Sequence, residues 1–437
     1  MAESSIEKTI TEALHDAEKP TAKYDKLQLP GNPFPIASIS SPDFAYGFGP
    51  LREEHMDVIL SFLRSTIAKG RFSGLRIVGD YGFGKTHILR WLEDAINKSP
   101  GGRLAAVYVQ NPGASSRELI YEITRAMGEE SLRKRIWYLV LKKFQSKAGA
   151  KDQGSGFLKG LMKTGQLSLL FEDTREEDPS VLFSEVLIIN YRDFLRKFAE
   201  LDLDFQKLYQ FGQQVIGAAT GNVEMATRFM EFAIRVEEEG GQPWIRLIDS
   251  KTRSTPFVPQ REHLRAILRI LRENGISHLY VLLDEFEDVA LLTLTPKKRK
   301  EYVTSLRSLI EENLTSGFSM ALAITNPGWK QMTRDYPGIK DRFNFRINLS
   351  PLRSQEIEEL IRRYLKAVRK ETHFEPLDDL YPFSRSAIGI IRKSSKGNPR
   401  TIISICHDLV EFALSLGPGQ SIDGKLAANF LTGKSYS

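Results

Sequence analysis

The sequence contains 437 residues, of which 41% are hydrophobic, 10% aromatic and 27% charged, and its formal net charge is +6 at pH 7. This composition excludes a wholly disordered chain and a fibrous polymer, and the length allows two or three globular domains. Because the sequence has neither an apolar run near the roughly 18 residues of a membrane helix nor the pattern of a signal peptide, we expect a cytoplasmic protein without a membrane partner.

Strand and helix patterns begin after a polar N-terminal arm. Residues 1–48 are predicted to form this loosely held arm, which begins with a short amphipathic piece and is rich in Pro, Gly and Ser from residue 27 onward. Apolar residues recur at helical spacing over 51–67, and "GLRIV" at 74–78 is typical of a buried strand. A second helix and a second strand are predicted over 86–98 and 103–110. Strand, helix and strand in this order favour a parallel α/β sheet.

The second half of the sequence returns to strands after a long helical interval. Residues from about 115 to 272 show mostly helical periodicity and are predicted to form an insertion after the second strand. "HLYVLL", "FSMALAIT" and "FRINLSPL" indicate the remaining strands, with a long helix over 297–314. From Ser354 onward every segment has a helical pattern. We therefore expect an α/β core over 49–350 and a helical domain over 351–437.

The stretch "GDYGFGKTH" at 79–87 lies between the first predicted strand and the helix that follows it. It fits G-x-x-x-x-G-K-[ST] in the structural context that this motif requires, and the N–H groups of such a loop and of the helix start bind phosphates. Lys85 is expected to reach the β- and γ-phosphates of ATP, and Thr86 to ligate Mg²⁺. The expected nucleotide-binding residues are Gly79, Asp80, Tyr81, Gly82, Phe83, Gly84, Lys85, Thr86 and His87. The alternative is a glycine-rich turn with an exposed lysine.

A second candidate position follows the strand "YVLL", where acidic residues begin. Magnesium binding and water activation both need carboxylates at the end of a neighbouring strand. Asp284 is expected to bind the metal, and Glu285 to polarise an attacking water. Glu287 and Asp288 are interpreted as solvated turn residues. The alternative is an acidic strand end that only faces solvent.

Taken in order, "GDYGFGKT", "LLDE", a strand that ends in Thr325-Asn326 and a helical domain that carries "KGNPR" resemble the AAA+ ATPases. Within that family the chain is most similar to the branch of origin-recognition-type initiators, transposition ATPases and phage-defence ATP-binding proteins. "GNPF" at 31–34 and "FGPLREEH" at 48–55 resemble the segment that leads into the core of this branch near the adenine. The resemblance implies a P-loop AAA+ core with a parallel sheet, a C-terminal helical lid, ATP and Mg²⁺ as cofactors, and hydrolysis by subunits that oligomerise.

The resemblance also implies roles for one asparagine and two arginines. Asn326 matches the polar residue of sensor 1, and Arg400 in "GNPR" matches the sensor 2 arginine, which reaches the γ-phosphate from the lid. Arg342 matches the arginine finger that one subunit gives to the next, with Arg334 and Arg346 as alternatives. The simpler alternatives are a buried asparagine at a strand end and a surface arginine on a helix.

Two features depart from the family pattern. The connection over about 115–272 is much longer than the usual one between these strands, so we expect the specialised task to reside there. The sequence ends at Ser437, soon after Arg400, so we expect no winged-helix DNA-binding domain of the kind that initiator ATPases usually carry after the lid.

Basic residues are concentrated at two places, the first of which lies in the insertion. Its cations are interleaved with Trp137, Tyr138 and Phe144, a mixture that can neutralise phosphates and stack on bases. These cations are Arg133, Lys134, Arg135, Lys142, Lys143, Lys147, Lys151, Lys159 and Lys163. The alternative is an amphipathic helix with solvated lysines and core apolar residues.

The second concentration is "PKKRK", at the start of the helix predicted over 297–314. Its cations are Lys297, Lys298, Arg299 and Lys300. Because the helix dipole disfavours cations at an N terminus, this pattern favours a partner such as a strand of nucleic acid.

Two functions are consistent with these patterns. The first is an ATPase that oligomerises and acts on DNA, driving remodelling or recruitment as in replication initiation, transposition or phage defence. The second is a slow nucleotide-dependent switch that recruits a protein partner through the insertion without binding nucleic acid. Glu285 favours hydrolysis, since a switch can dispense with that carboxylate.

Overall fold

The computed structural model describes residues 24–35, 49–149, 191–234, 260–289, 294–369, 378–417 and 421–433. The chain divides into two compact units. One unit comprises residues 1–56, 79–91 and 348–437, and the other comprises residues 57–78 and 92–347.

The described strands follow the order expected from the sequence, whereas the two helices over 326–342, between the last two strands, were not predicted. The strands are β1 (Gly74–Val78), β2 (Leu104–Val109), β3 (His278–Leu283), β4 (Phe318–Ile324) and β5 (Phe345–Asn348). The helices up to β4 are α1 (Glu53–Lys69), α2 (Lys85–Asn97), α3 (Ser116–Ala126), α4 (Glu129–Gly149), α5 (Tyr191–Glu200), α6 (Phe205–Thr220), α7 (Val223–Ile234), α8 (Gln260–Glu273) and α9 (Pro296–Glu312). Those after β4 are α10 (Asn326–Asp335), α11 (Ile339–Arg342), α12 (Ser354–Arg369), α13 (Arg385–Ser395), α14 (Pro399–Ser415) and α15 (Gly424–Thr432).

The strands form one sheet in the order β2-β3-β4-β1-β5. β1 pairs with β4, and β3 pairs with β4 and β2, all in parallel. Val78 lies opposite Ile324, and Leu283 lies opposite Leu322. The carboxyl ends of β1, β3 and β4 therefore lie at the same edge of the sheet. Every residue of these three strands is buried, as their largely apolar sequences predict for a parallel sheet, so the α/β fold class is confirmed.

Helices α3 to α8 provide most of the insertion that the sequence predicts to be helical, and they share one hydrophobic core with the sheet. Trp137 on α4 is fully buried, and its indole N–H donates a hydrogen bond to the carbonyl of Ala233 at 3.0 Å. The ring of Phe144 packs edge-on against Phe194 and Phe211 on two other helices. The predicted helical character is confirmed for the part of the insertion that the structure describes. Residues 150–190 and 235–259 lie outside the described residues.

The C-terminal helices form a second core together with residues 24–35. Phe34 packs against Tyr364 and Phe383. The Asn32 amide donates to the His407 carbonyl at 3.1 Å and to the Glu411 carboxylate at 2.9 Å. The expectation of a loosely held arm is therefore wrong for residues 24–35, because their apolar side chains belong to the core of the C-terminal helices. Among the described helices, none is long and apolar enough to cross a membrane.

Two histidines are buried in the unit that contains the sheet. His263 on α8 packs against Phe229, and its Nε2 has no hydrogen-bond partner among the described residues. Burial, with a contribution from Arg228, lowers the pKa of His263 to about 3. His278 at the start of β3 bonds to the Ser319 hydroxyl at 2.9 Å, and burial lowers its pKa to about 4. Both histidines are therefore neutral in the folded chain at neutral pH.

We expect the folded chain to lose stability as the pH falls below about 6.5. In this range the histidines become protonated in the unfolded chain but stay neutral in the folded chain. Each histidine should lower the free energy of unfolding by about 2 kcal/mol between pH 7 and pH 5. His263→Phe keeps a packed ring and should remove about 2 kcal/mol of that loss. Urea unfolding of both proteins at the two pH values measures the difference. An equal loss in both would contradict the assignment.

Candidate nucleotide-binding site

The glycine loop, defined here as residues 79–84, links the end of β1 to the start of α2. Gly82 and Gly84 have φ angles of +80° and +90°, a region that side chains other than glycine rarely adopt. The N–H of Phe83 donates to the carbonyl of Asp80 at 3.4 Å, and the N–H of Ile88 donates to that of Gly84 at 3.1 Å. The loop therefore closes tightly and runs directly into a helix N terminus, where backbone N–H groups favour anions.

The chain's own donors engage three carbonyls of the glycine loop. The Lys85 ammonium donates to the Gly79 carbonyl at 3.0 Å. The Asn398 side-chain amide donates to the Tyr81 carbonyl at 2.9 Å, and the Arg400 backbone N–H donates to the Gly82 carbonyl at 3.2 Å. Carbonyl oxygens repel phosphate, so their engagement by donors suits a loop that binds an anion.

The side chains of the loop region differ in exposure. Lys85 is buried, and its ammonium lies 5.1 Å from the centre of the Tyr81 ring. Tyr81 is 62% exposed, and Thr86 is also exposed at the start of α2. The burial of Lys85 disfavours the alternative of a glycine-rich turn with an exposed lysine.

Asp284 immediately follows β3 and is buried. The Tyr108 hydroxyl donates to its Oδ2 at 2.7 Å, and the Glu285 N–H donates to its Oδ1 at 2.9 Å. A carboxylate accepts about four hydrogen bonds or metal bonds, so these two contacts orient the group without filling it. Tyr108 lies on β2, which pairs with β3, so the sheet register places its hydroxyl beside the acidic strand end.

The residues after Asp284 have contrasting environments. Glu285 is exposed and has a φ angle of +48°, a strained value for a residue with a side chain. Glu287 is 1% exposed, so its interpretation as a solvated turn residue is wrong. The sequence pattern missed this burial because Glu287 lies between two residues that belong to the hydrophobic core, Phe286 and Val289, in the first turn after the strand.

The residues that match sensor and finger positions are placed as follows. Asn326 is exposed at the start of α10, which the Thr325 hydroxyl caps by accepting the Gly328 N–H at 3.3 Å. Arg400 is exposed, and its backbone lies against the glycine loop. The Arg342 guanidinium forms an ion pair with Glu311 at 2.5 Å. The two alternatives for the finger, Arg334 and Arg346, are exposed.

Tyr108 and Asn398 are contact residues that sequence reasoning did not single out. A tyrosine within the otherwise apolar "LAAVYV" is a weak signal of a hydroxyl with a buried partner. Asn398 precedes Pro399, a combination typical of a helix start, but this pattern predicts only the cap and not the contact with Tyr81.

Two cations and two aromatic rings of the basic stretch in the insertion are buried, contrary to the expectation that they form a base-stacking surface. Arg133 pairs with Glu129 at 2.5 Å, and burial lowers the pKa of Arg135 to about 10. The rings of Trp137 and Phe144 are fully buried. These four side chains are therefore unavailable to phosphates or bases. Lys142 and Lys143 are exposed and Lys134 is half-buried, whereas the side chains of Lys147, Lys151, Lys159 and Lys163 lie outside the described residues.

The second basic concentration forms the first turn of α9. Lys297, Lys298 and Lys300 are exposed there. Arg299 is buried and pairs with Asp335 on α10 at 2.9 Å. The expectation that Arg299 faces a partner is therefore wrong, because that side chain joins two helices of this chain.

No protein-family model matches the chain. A curated protein of Methanocaldococcus jannaschii, described as an uncharacterised HTH-type transcriptional regulator, is 24% identical over 262 residues. That alignment covers 59% of this chain and 57% of the relative, so little more than half of the relative's length is matched.

Solved structures with similarity to the chain include three of ORC proteins. Aeropyrum pernix ORC2 in ADPNP–ADP complexes has 14% identity and a TM-score of 0.46, covering 89% of this chain and 69% of that one. Its ADP form has 13% identity, a TM-score of 0.45 and coverages of 88% and 70%. Drosophila ORC bound to DNA has 12% identity, a TM-score of 0.38 and coverages of 92% and 67%.

The positive φ of Glu285 leads to a stability prediction. Glu285→Gly should relieve about 1–2 kcal/mol of backbone strain at the cost of about 0.5–1 kcal/mol of added chain entropy, so we expect a net gain of about 0.5–1 kcal/mol. Glu285→Gln retains the strain and serves as the matched control. Denaturant unfolding compares the three proteins, and a glycine variant less stable than the glutamine variant would contradict the strain.

Proposed function

We propose that the chain binds ATP with Mg²⁺ on the glycine loop and hydrolyses it. The observation that carries this proposal is the backbone of that loop. Gly82 and Gly84 have positive φ angles, and donors from Lys85, Asn398 and Arg400 engage the carbonyls of Gly79, Tyr81 and Gly82. Such a backbone fits a chain of phosphates, since it offers N–H groups to the ligand and keeps carbonyls away from it.

Three side chains are proposed to hold the cofactors. Lys85 would neutralise phosphate charge, because its buried ammonium already lies beside the loop. The Thr86 hydroxyl and the Asp284 carboxylate supply the oxygen ligands that Mg²⁺ prefers. Bound Mg²⁺ would neutralise charge on the phosphates. Tyr108 orients Asp284 through its 2.7 Å hydrogen bond and is proposed to preserve the direction of the remaining lone pairs.

The hydrolytic roles are assigned to three residues with exposed side chains, Glu285, Asn326 and Arg400, and to the half-buried Arg342. Glu285 is proposed to orient an attacking water and accept its proton, and its strained backbone is typical of a functional position. Asn326 is proposed to orient the same water, and Arg400 to contact the γ-phosphate. Arg342 is proposed to contact the nucleotide of a neighbouring subunit. To do so, its guanidinium must leave the ion pair with Glu311.

DNA is the proposed macromolecular partner of the hydrolytic cycle. Exposed lysines at two places support a polyanion, namely Lys142 and Lys143 on α4, and Lys297, Lys298 and Lys300 on α9. The description of the Methanocaldococcus jannaschii relative as a transcriptional regulator agrees with a DNA partner. The proposed outcome is nucleotide-driven remodelling or recruitment on DNA by an oligomer.

A slow switch that recruits a protein through the insertion is the second candidate. The burial of Arg133, Arg135, Trp137 and Phe144 favours it, because these residues contribute to a folded helical body and not to a nucleic-acid surface. Retention on DNA and the rate of turnover separate the two functions.

We expect Lys85→Ala to lower ATP affinity by at least about 10-fold, because it removes a charged hydrogen-bond donor to phosphate. Glu285→Gln should retain affinity and lower turnover by at least about 100-fold, since it removes a proton acceptor. Lys98→Ala, at the other end of the α2 region and paired with Asp94 on the surface, is the matched lysine control. Binding of a fluorescent ATP analogue and phosphate release measure both effects. Normal turnover by Glu285→Gln would remove that residue from the mechanism.

Charge reversal tests the DNA partner. Lys142→Glu with Lys143→Glu should reduce the slope of log affinity against log salt by about 2, if both lysines neutralise phosphates. The triple reversal of Lys297, Lys298 and Lys300 should reduce it by about 3. The double reversal Lys98→Glu with Lys207→Glu changes two exposed lysines elsewhere and matches the first charge change. If both the α4 and the α9 reversal variants had the same salt slope as the Lys98→Glu, Lys207→Glu control, the proposed DNA contacts would be refuted and the switch would be favoured.

A further inference from the structure

Asn398 forms two hydrogen bonds that point in different directions. Its Nδ2 donates to the Tyr81 carbonyl at 2.9 Å, and its Oδ1 accepts the Thr401 N–H at 3.3 Å as the cap of α14. A carbonyl can only accept and an amide N–H can only donate, so the two partners fix the orientation of the side-chain amide. Asparagine is suited to this position because it has a donor and an acceptor on one short side chain.

The glycine loop approaches Asn398 so closely that only glycine fits at position 82. A Cβ built on Gly82 would lie 2.6 Å from Oδ1 of Asn398 and 3.0 Å from Cβ of Arg400. The Arg400 N–H also donates to the Gly82 carbonyl at 3.2 Å. Two successive loop carbonyls, those of Tyr81 and Gly82, are thus bound by Asn398, the N-cap residue of the lid helix α14, and by Arg400 in its first turn.

The turn that presents Asn398 is itself held by the segment that follows β5. The Leu352 N–H donates to the Gly397 carbonyl at 2.8 Å, and Gly397 has a φ angle of +73°. A Cβ on Gly397 would lie 2.8 Å from the Leu352 carbonyl oxygen. The same segment contacts the start of the glycine loop, since a Cβ on Gly79 would lie 2.7 Å from Cβ of Leu349. Residues 349–352 therefore touch both the loop and the turn before α14.

The Arg52 side chain fixes this segment in turn. Its guanidinium donates to the Ser350 hydroxyl at 2.6 Å and to the Pro351 carbonyl at 3.1 Å. It also forms an ion pair with Glu356 at 2.6 Å. The position of Asn398 is thus set by packed backbone and by a hydrogen-bonded arginine, and the side-chain amide is directed at the loop in advance.

We propose that Asn398 is a positioning residue that holds the glycine loop in its phosphate-binding conformation whenever the lid helix is docked. The Tyr81 carbonyl is held on the lid side of the loop, which keeps its oxygen away from an anion bound by the loop's N–H groups. Nucleotide affinity then depends on lid docking through a neutral amide, in addition to any charge that Arg400 supplies. This inference rests on the proposed function for its effect on affinity, but the contact itself exists without a nucleotide.

Two substitutions in the full-length chain separate the contact with Tyr81 from the helix cap. Asn398→Ser retains a good cap for α14 and is too short to reach the Tyr81 carbonyl. Asn398→Asp retains the cap, loses the donor, and places a charged oxygen against that carbonyl. Asp423→Ser, at the cap of α15, is the matched control because Asp423 caps Leu426 in the same way. Thermal unfolding of all three variants should remain close to wild type.

Hydrogen exchange of nucleotide-free protein, followed by mass spectrometry, measures the loop directly. Peptides that cover residues 80–86 and the Arg400 amide should exchange at least about 5-fold faster in Asn398→Ser and Asn398→Asp, and at the wild-type rate in Asp423→Ser. The affinity for a fluorescent ADP analogue should fall by about 5-fold in the serine variant and by more than about 10-fold in the aspartate variant.

The outcomes test the positioning role of Asn398 separately from nucleotide binding by the chain. Wild-type exchange in both Asn398 variants would overturn the positioning role, and so would faster exchange with unchanged affinity. If the wild-type chain binds no nucleotide, the proposed function fails. In that case, faster exchange confined to the Asn398 variants would still support the hold of the lid on the loop, while its effect on affinity would be refuted.

Discussion

The proposed function depends on the backbone conformation of the glycine loop, residues 79–84. Gly82 and Gly84 have positive φ angles, and the carbonyls of Tyr81 and Gly82 accept hydrogen bonds from the start of α14. A side chain at position 82 would meet Asn398 at 2.6 Å, so the loop and the lid helix can touch only because Gly82 has no Cβ. The loop conformation that would suit phosphates therefore depends on a contact with the start of α14.

The sheet provides the second requirement, a carboxylate with a fixed direction. Parallel pairing of β2 with β3 places Tyr108 beside the end of β3, and its hydroxyl holds one oxygen of Asp284 at 2.7 Å. The next residue, Glu285, is exposed and strained. Adjacent acids in the sequence therefore have different surroundings, one buried and oriented and the other accessible to water. This contrast is the physical basis for giving them different proposed roles.

Local patterns were sufficient to predict the strands, the glycine loop and several helices, but not the helices α10 and α11 or the long-range contacts. "GLRIV" is a strand over the predicted residues because, apart from Arg76, its sequence is the apolar run that is typical of a buried parallel strand. By contrast, the burial of Arg133 depends on Glu129 in the preceding turn and on the Phe232 ring, 5.1 Å away on α7. Arg299 is buried against Asp335 of α10. Charge runs identify cations, but only tertiary packing decides which of them face water. For the same reason, the motif "KGNPR" includes Asn398 but could not reveal its hydrogen bond with the Tyr81 carbonyl.

A structure of the full-length chain with a non-hydrolysable ATP analogue and Mg²⁺ tests the central claim most directly. The account predicts phosphate oxygens within hydrogen-bonding distance of the N–H groups between Gly82 and Thr86, with the Tyr81 carbonyl still bound by Asn398. The metal should be held by Thr86 and by Asp284, directly or through water. A nucleotide bound elsewhere, or a glycine loop without phosphate at saturating analogue, would contradict the account.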